Sequence, residues 1–217
     1  TSTPSECSTP GFSQTACGLV IEFTDVITTH RMNPYTDGSV NGDGNKGGWE
    51  YSDMRAYLNS TTYTHENVDY STSGIYSSLP SDLRSKIINT TIVSGHSPND
   101  STNFTTTDKL YLLSAREIWK KEGSSNIDNY DSTWNLTRQL DYYKAKGVTT
   151  SNYSGTIKQY NGSNSYWWLR SAVYNYIINN TVYQLNPENF LGVFTGGGIS
   201  FQSSSNTYGV SPAFRIG

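Results

Sequence analysis

The sequence SYWWLRSA at residues 165–172 places two tryptophans, a leucine and an arginine in one short run. Large rings in a run of this length favour a β-strand. The run GVSPAFRIG at residues 209–217 has the same character, since it is apolar apart from one arginine. We therefore predict two rigid strands that frame the C-terminal part of the chain. Their scaffold residues are Trp167, Trp168, Arg170, Pro212, Phe214 and Arg215.

The two arginines stand out because each lies in an otherwise apolar strand. A buried guanidinium has to be compensated, so we expect Arg170 and Arg215 each to pair with a buried carboxylate or a backbone carbonyl. A catalytic role is the alternative. We favour the structural role, since a charged side chain is rarely buried without a partner.

The segment between these strands has a different composition. From Trp167 to Gly217 only Arg170, Glu188 and Arg215 are charged, and residues 174–190 contain five asparagines and three tyrosines. Asparagine donates and accepts hydrogen bonds, while tyrosine offers contact area with few rotatable bonds; adaptable binding surfaces use this mixture. We predict a ligand-binding region at about residues 171–208. A solvated polar loop is the alternative.

The side chains predicted to contact the ligand are mostly amides and aromatic rings. The rings would act as anchors and the amides as adaptable hydrogen-bonding groups. The predicted contact residues are Tyr174, Asn175, Tyr176, Ile178, Asn179, Asn180, Tyr183, Asn186, Phe190, Phe194, Phe201, Gln202 and Tyr208.

Helix signals are found before residue 147. Ser52 can cap a helix that runs to Asn59, and Ser114 with Glu117 forms a capping box. Residues 133–146 carry apolar side chains at helical spacing. Helices first and short antiparallel strands last predict an α+β fold.

Residues 19–217 suit a single domain, and residues 1–18 read as an irregular lead-in. Within the lead-in, Cys7 and Cys17 could close a small disulfide loop or remain free thiols.

Composition excludes several classes of function. A net charge of −3 lacks the basic surface that nucleic-acid binding requires. No stretch is apolar and long enough to span a bilayer, so we predict no direct membrane insertion. The three histidines, His30, His65 and His96, do not have a spacing that metals use.

We predict neither an enzyme nor a cofactor. Ser94, His96 and Asp100 could be drawn as a triad, but the intervening glycine and proline favour a simple turn. The alternative to a domain without a cofactor is a structural Ca²⁺ bound in a glycine-rich loop. Its oxygen ligands would come from Asp37, Asn41, Asp43 and Asn45.

Six motifs carry a resemblance to known proteins. They are WEYSDMRAYLN (49–59), IYSSLPSDLRSKI (75–87), TDKLYLLSAREIW (107–119), RQLDYYKAKGVT (138–149), YWWLRSA and GVSPAFRIG. In this order they resemble a family of unassigned domains in large exported proteins of Gram-positive gut bacteria and in phage-related proteins. The C-terminal layout is also similar to the C-type-lectin-fold variable proteins of diversity-generating retroelements, in which a reverse transcriptase rewrites adenines near the end of a gene.

This resemblance implies a C-type lectin-like fold whose ligand surface is built from the rewritten positions. The expected function is that of a receptor- or ligand-binding module, secreted, on a cell surface or on a phage particle. Its partner would be a protein or glycan on another cell or surface. The alternative is a structural or spacer domain of a large bacterial surface protein, without a dedicated ligand.

The Asn/Tyr-rich segment between the two predicted strands, called the insert below, yields a first prediction. Replacing Tyr174, Tyr176 and Tyr183 together by alanine should leave the melting temperature nearly unchanged and abolish binding, because exposed anchors contribute to recognition and not to the core. Thermal denaturation followed by circular dichroism measures the first effect. A large fall in melting temperature would place these rings in the core.

Overall fold

Most of the secondary structure in the chain is β. The computed structural model describes residues 20–34, 44–97, 100–125, 127–173, 176–178, 181–183 and 188–216. Within these residues lie sixteen strands and five α-helices of four to seven residues. The strands are β1 (Val20–Glu22), β2 (Thr28–His30), β3 (Thr62–Tyr63), β4 (Val68–Asp69), β5 (Ile87–Ile88), β6 (Thr90–Ser97), β7 (Asp100–Asp108), β8 (Lys158–Tyr160), β9 (Ser163–Ser165), β10 (Trp167–Ala172), β11 (Tyr176–Ile178), β12 (Thr181–Tyr183), β13 (Asn189–Val193), β14 (Ile199–Ser203), β15 (Tyr208–Val210) and β16 (Ala213–Ile216). The helices are α1 (Asp53–Asn59), α2 (Ile75–Ser78), α3 (Ser81–Lys86), α4 (Ala115–Ile118) and α5 (Asp141–Ala145).

The largest sheet has five strands in the order β14-β13-β10-β15-β2. Its central strand, β10, pairs antiparallel with β13 and parallel with β15. A three-stranded sheet, β1-β16-β5, joins the first and last described strands of the chain. The remaining strands form the two-stranded ribbons β3-β4, β6-β7, β8-β9 and β11-β12.

Every side chain of β10 is buried, although successive side chains of a strand point to opposite faces. Both faces of the strand are therefore covered. The indole nitrogen of Trp167 donates to the carbonyl oxygen of Thr156 (3.1 Å), and that of Trp168 donates to the carbonyl oxygen of His30 (2.8 Å). The two indole N–H groups of β10 are thus satisfied by two different segments of the chain.

Arg170 is 1% exposed and lies within hydrogen-bond distance of several acceptors. Its Nη1 donates to the carbonyl oxygen of Leu112 (2.8 Å) and to Oε2 of Glu117 (2.5 Å). The same carboxylate oxygen accepts from the backbone N–H of Ser114 (2.7 Å), which completes the capping box of α4. The predicted carboxylate and carbonyl partners of Arg170 are both present, and the predicted capping box is confirmed.

Arg215 lies in β16 and is 6% exposed. Its side chain hydrogen-bonds the hydroxyl of Tyr111, and burial raises the pKa of that tyrosine to about 12. The phenol therefore stays protonated at neutral pH. Tyr111 is thus one partner of this arginine, and its predicted pairing with a carboxylate or a carbonyl stays a prediction.

The long helix expected over residues 133–146 is wrong. The structure has a 3-10 helix at Trp134–Leu136 and α5 further on, with an irregular segment between them. In that segment the side-chain amide of Gln139 donates to the carbonyl oxygens of Ile118 (2.8 Å) and Val148 (2.7 Å). The backbone N–H of Leu140 also donates away, to the carbonyl of Glu117 (2.8 Å). Tertiary hydrogen bonds replace the helical ones there.

The predicted α+β class is wrong as well. Nine of the sixteen described strands precede Trp167, so the sequence does not divide into helices first and strands last. The C-type lectin-like arrangement predicted with that division is not supported. The sequence did not predict the N-terminal strands because they are two to nine residues long and rich in Thr and Ser. They therefore lack the apolar alternation that indicates a strand.

The buried position of Arg170 yields a second prediction. Arg170→Met keeps the aliphatic stem but leaves the carboxylate of Glu117 buried without its cation, which should cost about 3–5 kcal/mol in free energy of unfolding. Lys121→Met is the matched control, because it removes a cation that pairs with Asp128 at the surface (2.9 Å) and should cost less than about 1 kcal/mol. Urea unfolding measures both values. Equal small losses would show that the buried pair contributes little.

Candidate ligand-binding surface

Three aromatic rings meet on one face of the large sheet. Tyr166 precedes β10 and lies opposite Phe194, the residue after β13, as the pairing of Trp167 with Val193 requires. The rings of Tyr166 and Phe194 meet edge to face, with centroids 5.2 Å apart. On its other side Tyr166 stacks on Tyr208 of β15, with centroids 5.1 Å apart.

A fourth ring, Tyr153, extends this group at the turn between β13 and β14. A Cβ placed on Gly198 would lie 3.6 Å from the Tyr153 ring, so the ring passes directly over this glycine. A hydrogen bond holds the turn in place, because Oγ1 of Thr156 donates to the carbonyl oxygen of Gly197 (2.6 Å). We call the set Tyr153, Phe194, Tyr166 and Tyr208 the aromatic row.

The exposed fractions of the row show which rings a ligand could reach. Phe194 is 44% exposed and Tyr153 is 41% exposed. Tyr166 and Tyr208 are half-buried. The row therefore has two open rings, Tyr153 and Phe194, at one end and two half-buried rings, Tyr166 and Tyr208, at the other.

Polar but uncharged side chains border the row. Alternation along β14 puts Ser200 and Gln202 on the same face as Gly198, and Nε2 of Gln202 donates to Oγ of Ser200 (2.5 Å). The side-chain amide of Asn206 donates to the hydroxyl of Tyr208 (3.3 Å). Burial, and then the neighbouring Tyr166, raise the pKa of Tyr208, so its hydroxyl remains a hydrogen-bond donor at neutral pH. Among these described residues none carries a charge.

Beyond Tyr208 the aromatic contacts continue into the protein. His30 lies directly opposite Tyr208 in the β15–β2 pairing, and its ring stacks on Tyr57 at 4.1 Å. Burial lowers the pKa of His30, which favours the neutral imidazole. The buried carboxylate of Asp53 accepts from the hydroxyl of Tyr70 (2.8 Å) and from Nε of Arg31 (3.2 Å). The rings of this cluster, His30, Tyr57 and Tyr70, are half-buried, so it adds no open ring to the surface.

Residues 24–217 match a family described as a domain of unknown function, DUF6273. The chain belongs to this family. No curated protein and no solved structure matches it. The match to the DUF6273 family extends to the N-terminal side of the motifs quoted above, which begin at residue 49.

The predicted contact residues of this DUF6273 domain are divided among several places. Phe194 and Tyr208 belong to the aromatic row, and Gln202 lies on the same face. Phe201 points to the opposite face, where its ring meets Tyr130 edge to face at 4.8 Å. For Phe190 the predicted surface role is wrong, because the side chain is completely buried against the core.

The Asn/Tyr-rich insert is described in part. Tyr176 and Ile178 lie in β11, and Tyr183 lies in β12, opposite Tyr176 in an antiparallel hairpin. This hairpin follows the C-terminal end of β10, whereas Tyr166 lies at the N-terminal end. The remaining predicted residues, Tyr174, Asn175, Asn179, Asn180 and Asn186, lie outside the described residues, and their contact with a ligand stays a prediction.

The predicted scaffold residues of the DUF6273 domain lie in its interior. Trp167, Trp168, Arg170, Pro212, Phe214 and Arg215 are all buried. Two rings of the row, Tyr153 and Tyr166, were not among the predicted contact residues. Strand alternation from Trp168 could have placed Tyr166 on the correct face, but Tyr153 lies in a polar segment whose sequence gives no such signal.

The structure bears on two further predictions. Of the Ca²⁺ ligands suggested by the sequence, Asp37, Asn41 and Asp43 lie outside the described residues. The two cysteines of the possible disulfide loop, Cys7 and Cys17, also lie outside them. Asn45 is buried, and its Nδ2 donates to the carbonyl oxygens of Asn189 (2.8 Å) and Val173 (3.2 Å). Within the described ranges there is no group of three or more His, Cys, Asp or Glu side chains placed to hold a metal ion.

The suggested triad also has other contacts. Nε2 of His96 lies 3.1 Å from a carboxylate oxygen of Glu50, and its Nδ1 lies 3.0 Å from Oγ1 of Thr102. Ser94 is buried.

No α-helix in the described part of the chain is long and apolar enough to cross a membrane.

Close approach of β10 and β15 beneath the row yields a third prediction. A Cβ at Gly209 would lie 2.6 Å from both the carbonyl oxygen of Tyr166 and a methyl group of Val26, so Gly209→Ala must push the strands apart. We expect a loss of about 1–3 kcal/mol in free energy of unfolding. Gly198→Ala is the control, since its Cβ would meet the Tyr153 ring at an ordinary 3.6 Å. Chemical denaturation of both variants checks this, and a loss at Gly198 as large as that at Gly209 would contradict it.

Proposed function

We propose that this DUF6273 domain is a binding module whose ligand contacts the aromatic row. The observation that carries the proposal is that the exposed rings of the row are contiguous. Tyr153 and Phe194, two of the most exposed large side chains described, flank one turn, and Phe194 continues through ring contacts into Tyr166 and Tyr208. Exposed apolar side chains scattered singly are normal on a soluble protein, but a connected group is typical of a binding surface.

The row has physical properties suited to recognition. Phe194 is braced edge to face by Tyr166, so few side-chain rotations are left to freeze when a ligand binds. The adjoining amides and hydroxyls of Gln202, Ser200 and Asn206 can donate and accept hydrogen bonds. Because the row and its polar border are uncharged, we propose that the contacted part of the ligand is uncharged too, as in a neutral glycan or an uncharged patch of a protein.

A spacer domain without a ligand is the alternative. Such a domain would need no continuous group of open rings. The exposed Tyr142 fits that description, because the ring that it meets edge to face, Tyr143, is buried. The row differs, because two open rings, Tyr153 and Phe194, flank the same glycine turn, and Phe194 continues through ring contacts into Tyr166 and Tyr208. An enzyme would require converging titratable groups, and the row offers one phenol of raised pKa beside uncharged amides.

The test of this function uses two libraries, printed neutral and acidic glycans and a displayed peptide library, probed with the whole domain. We expect the domain to select ligands from one library. Phe194→Ala combined with Tyr153→Ala should weaken binding to the selected ligand by tenfold or more, about 1.4 kcal/mol, because anchor rings usually contribute at least this much. The library that yields ligands distinguishes a glycan from a protein surface.

The matched control is Tyr142→Ala, which removes a more exposed tyrosine (53%) outside the row. It should bind like the unmodified domain, and all variants should keep the same melting temperature. If neither library yields a ligand, or if Tyr142→Ala loses as much affinity as the double variant, the spacer function is favoured over the binding function.

A further inference from the structure

A polar cleft lies apart from the aromatic row, between α1, α2 and the end of β7. Its volume is about 340 Å³, within the range of small-molecule sites. The side chains that line it are Arg55, Asn59, Thr61, Tyr76, Asn89, Thr107, Asp108 and Lys109.

Two of the lining side chains form a rigid frame, because their hydrogen-bonding capacity is already used. The amide of Asn59 donates to the carbonyl oxygens of Arg55 (3.1 Å) and Leu110 (2.9 Å), and its oxygen accepts from the backbone N–H groups of Lys109 (2.8 Å) and Leu110 (3.1 Å). This amide thereby joins the C-terminal end of α1 to the segment after β7. The cleft consequently has a fixed wall.

Asp108 completes the frame. Its Oδ2 accepts from the indole N–H of Trp49 (2.9 Å) and the hydroxyl of Thr106 (2.7 Å), and its Oδ1 accepts from Nε of Arg55 (2.7 Å). The carboxylate is buried, so its charge is neutralised within the wall. Asp108 therefore offers little repulsion to an anion in the cleft.

Other lining groups retain donors that a ligand could use. Nζ of Lys109 donates to one acceptor, the carbonyl oxygen of Ile87 (2.8 Å), and none of the described carboxylates lies within ion-pair distance of it. Arg55 uses Nε and Nη1, the latter for the carbonyl oxygen of Glu50 (3.1 Å), while its Nη2 has no hydrogen-bond partner among the described residues. At the rim, Asn89 and Thr107 are exposed and keep their side-chain polar atoms for solvent.

Counting charges, Arg55 and Lys109 supply two positive charges to the cleft and Asp108 supplies one negative charge. The cleft is therefore positive by one charge in a chain whose net charge is −3. A guanidinium edge and an ammonium group that share one cleft are complementary to the oxygens of a carboxylate or phosphate.

We propose that this cleft binds a small organic anion through its carboxylate or phosphate group. The anionic group lies between Nζ of Lys109 and Nη2 of Arg55, and the rim residues Asn89 and Thr107 contact the rest of the ligand. The site is independent of the aromatic row, so either can be present without the other.

The experiment titrates the whole domain with inorganic phosphate and with acetate at constant ionic strength, followed by ¹H–¹⁵N correlation spectra. Acetamide, which has the shape of acetate but no charge, is the ligand control. We expect saturable shifts of the backbone amides of Asn59, Thr61 and Lys109 with phosphate or acetate, and none with acetamide. The anion that binds more tightly identifies the preferred group.

Lys109→Met keeps the aliphatic stem and removes the charge, so the dissociation constant should rise by about tenfold or more. Asn89→Ala, at the exposed rim, gives a second variant whose folding does not depend on a buried contact; it should alter the affinity for a larger anion such as citrate. Lys144→Met removes an exposed cation that does not line the cleft and should leave all affinities unchanged.

Three results would overturn the proposal. The first is an absence of shifts in the cleft with either anion. The second is an unchanged dissociation constant in Lys109→Met with a well-dispersed spectrum. The third is an equal effect of Lys144→Met, which would indicate general attraction of anions to surface lysines.

Discussion

A strand with both faces buried needs two separate layers of side chains to cover it, and β10 places this constraint on the surrounding structure. On one side Trp167 is covered by the segment that carries Thr156, with the ammonium group of Lys158 5.1 Å from the indole centroid. On the other side Trp168 is covered by β2 and by Tyr208. Segments distant in sequence must therefore converge on the same strand, and the aromatic row forms where their ends meet.

Buried charges join these layers at defined places. The ion pairs of Arg170 with Glu117 (2.5 Å) and of Lys158 with Glu22 (3.1 Å) each connect segments that are far apart in the chain. Burial raises the pKa of Glu22, an effect that the nearby Lys158 opposes. Buried pairs of this kind need not add much net stability, but an alternative register would leave each charge without its partner. They therefore specify which segments lie together.

Local sequence signals identified individual elements better than their assembly. The Ser114 capping box, the N-cap of α1 at Ser52 and strand β10 were all predictable, because each depends on neighbouring residues. The predicted helix over residues 133–146 failed because Gln139 bonds to carbonyls of two other segments. No periodicity within the segment itself could indicate those bonds.

The candidate surface was predictable in part for the same reason. Phe194 and Tyr208 lie in the segment that composition identified, and they do belong to the aromatic row. Phe190 has a similar sequence context, but it lies opposite Ala172, toward the other end of the β13–β10 pairing from Phe194, where its ring is completely buried. Tyr153 reaches the row only through the contact of its ring with Gly198, more than 40 residues further along the chain, which the sequence does not reveal.

The rings of the aromatic row come from four separate stretches of chain, at residues 153, 166, 194 and 208. None of these stretches contains the surface by itself, so a linear peptide cut from the protein cannot reproduce it. Recognition at this surface would thus exist only in the folded state and would disappear with the tertiary structure. An antibody that competes with the ligand would need a conformational epitope, and its binding would report whether the strands around β10 are correctly assembled.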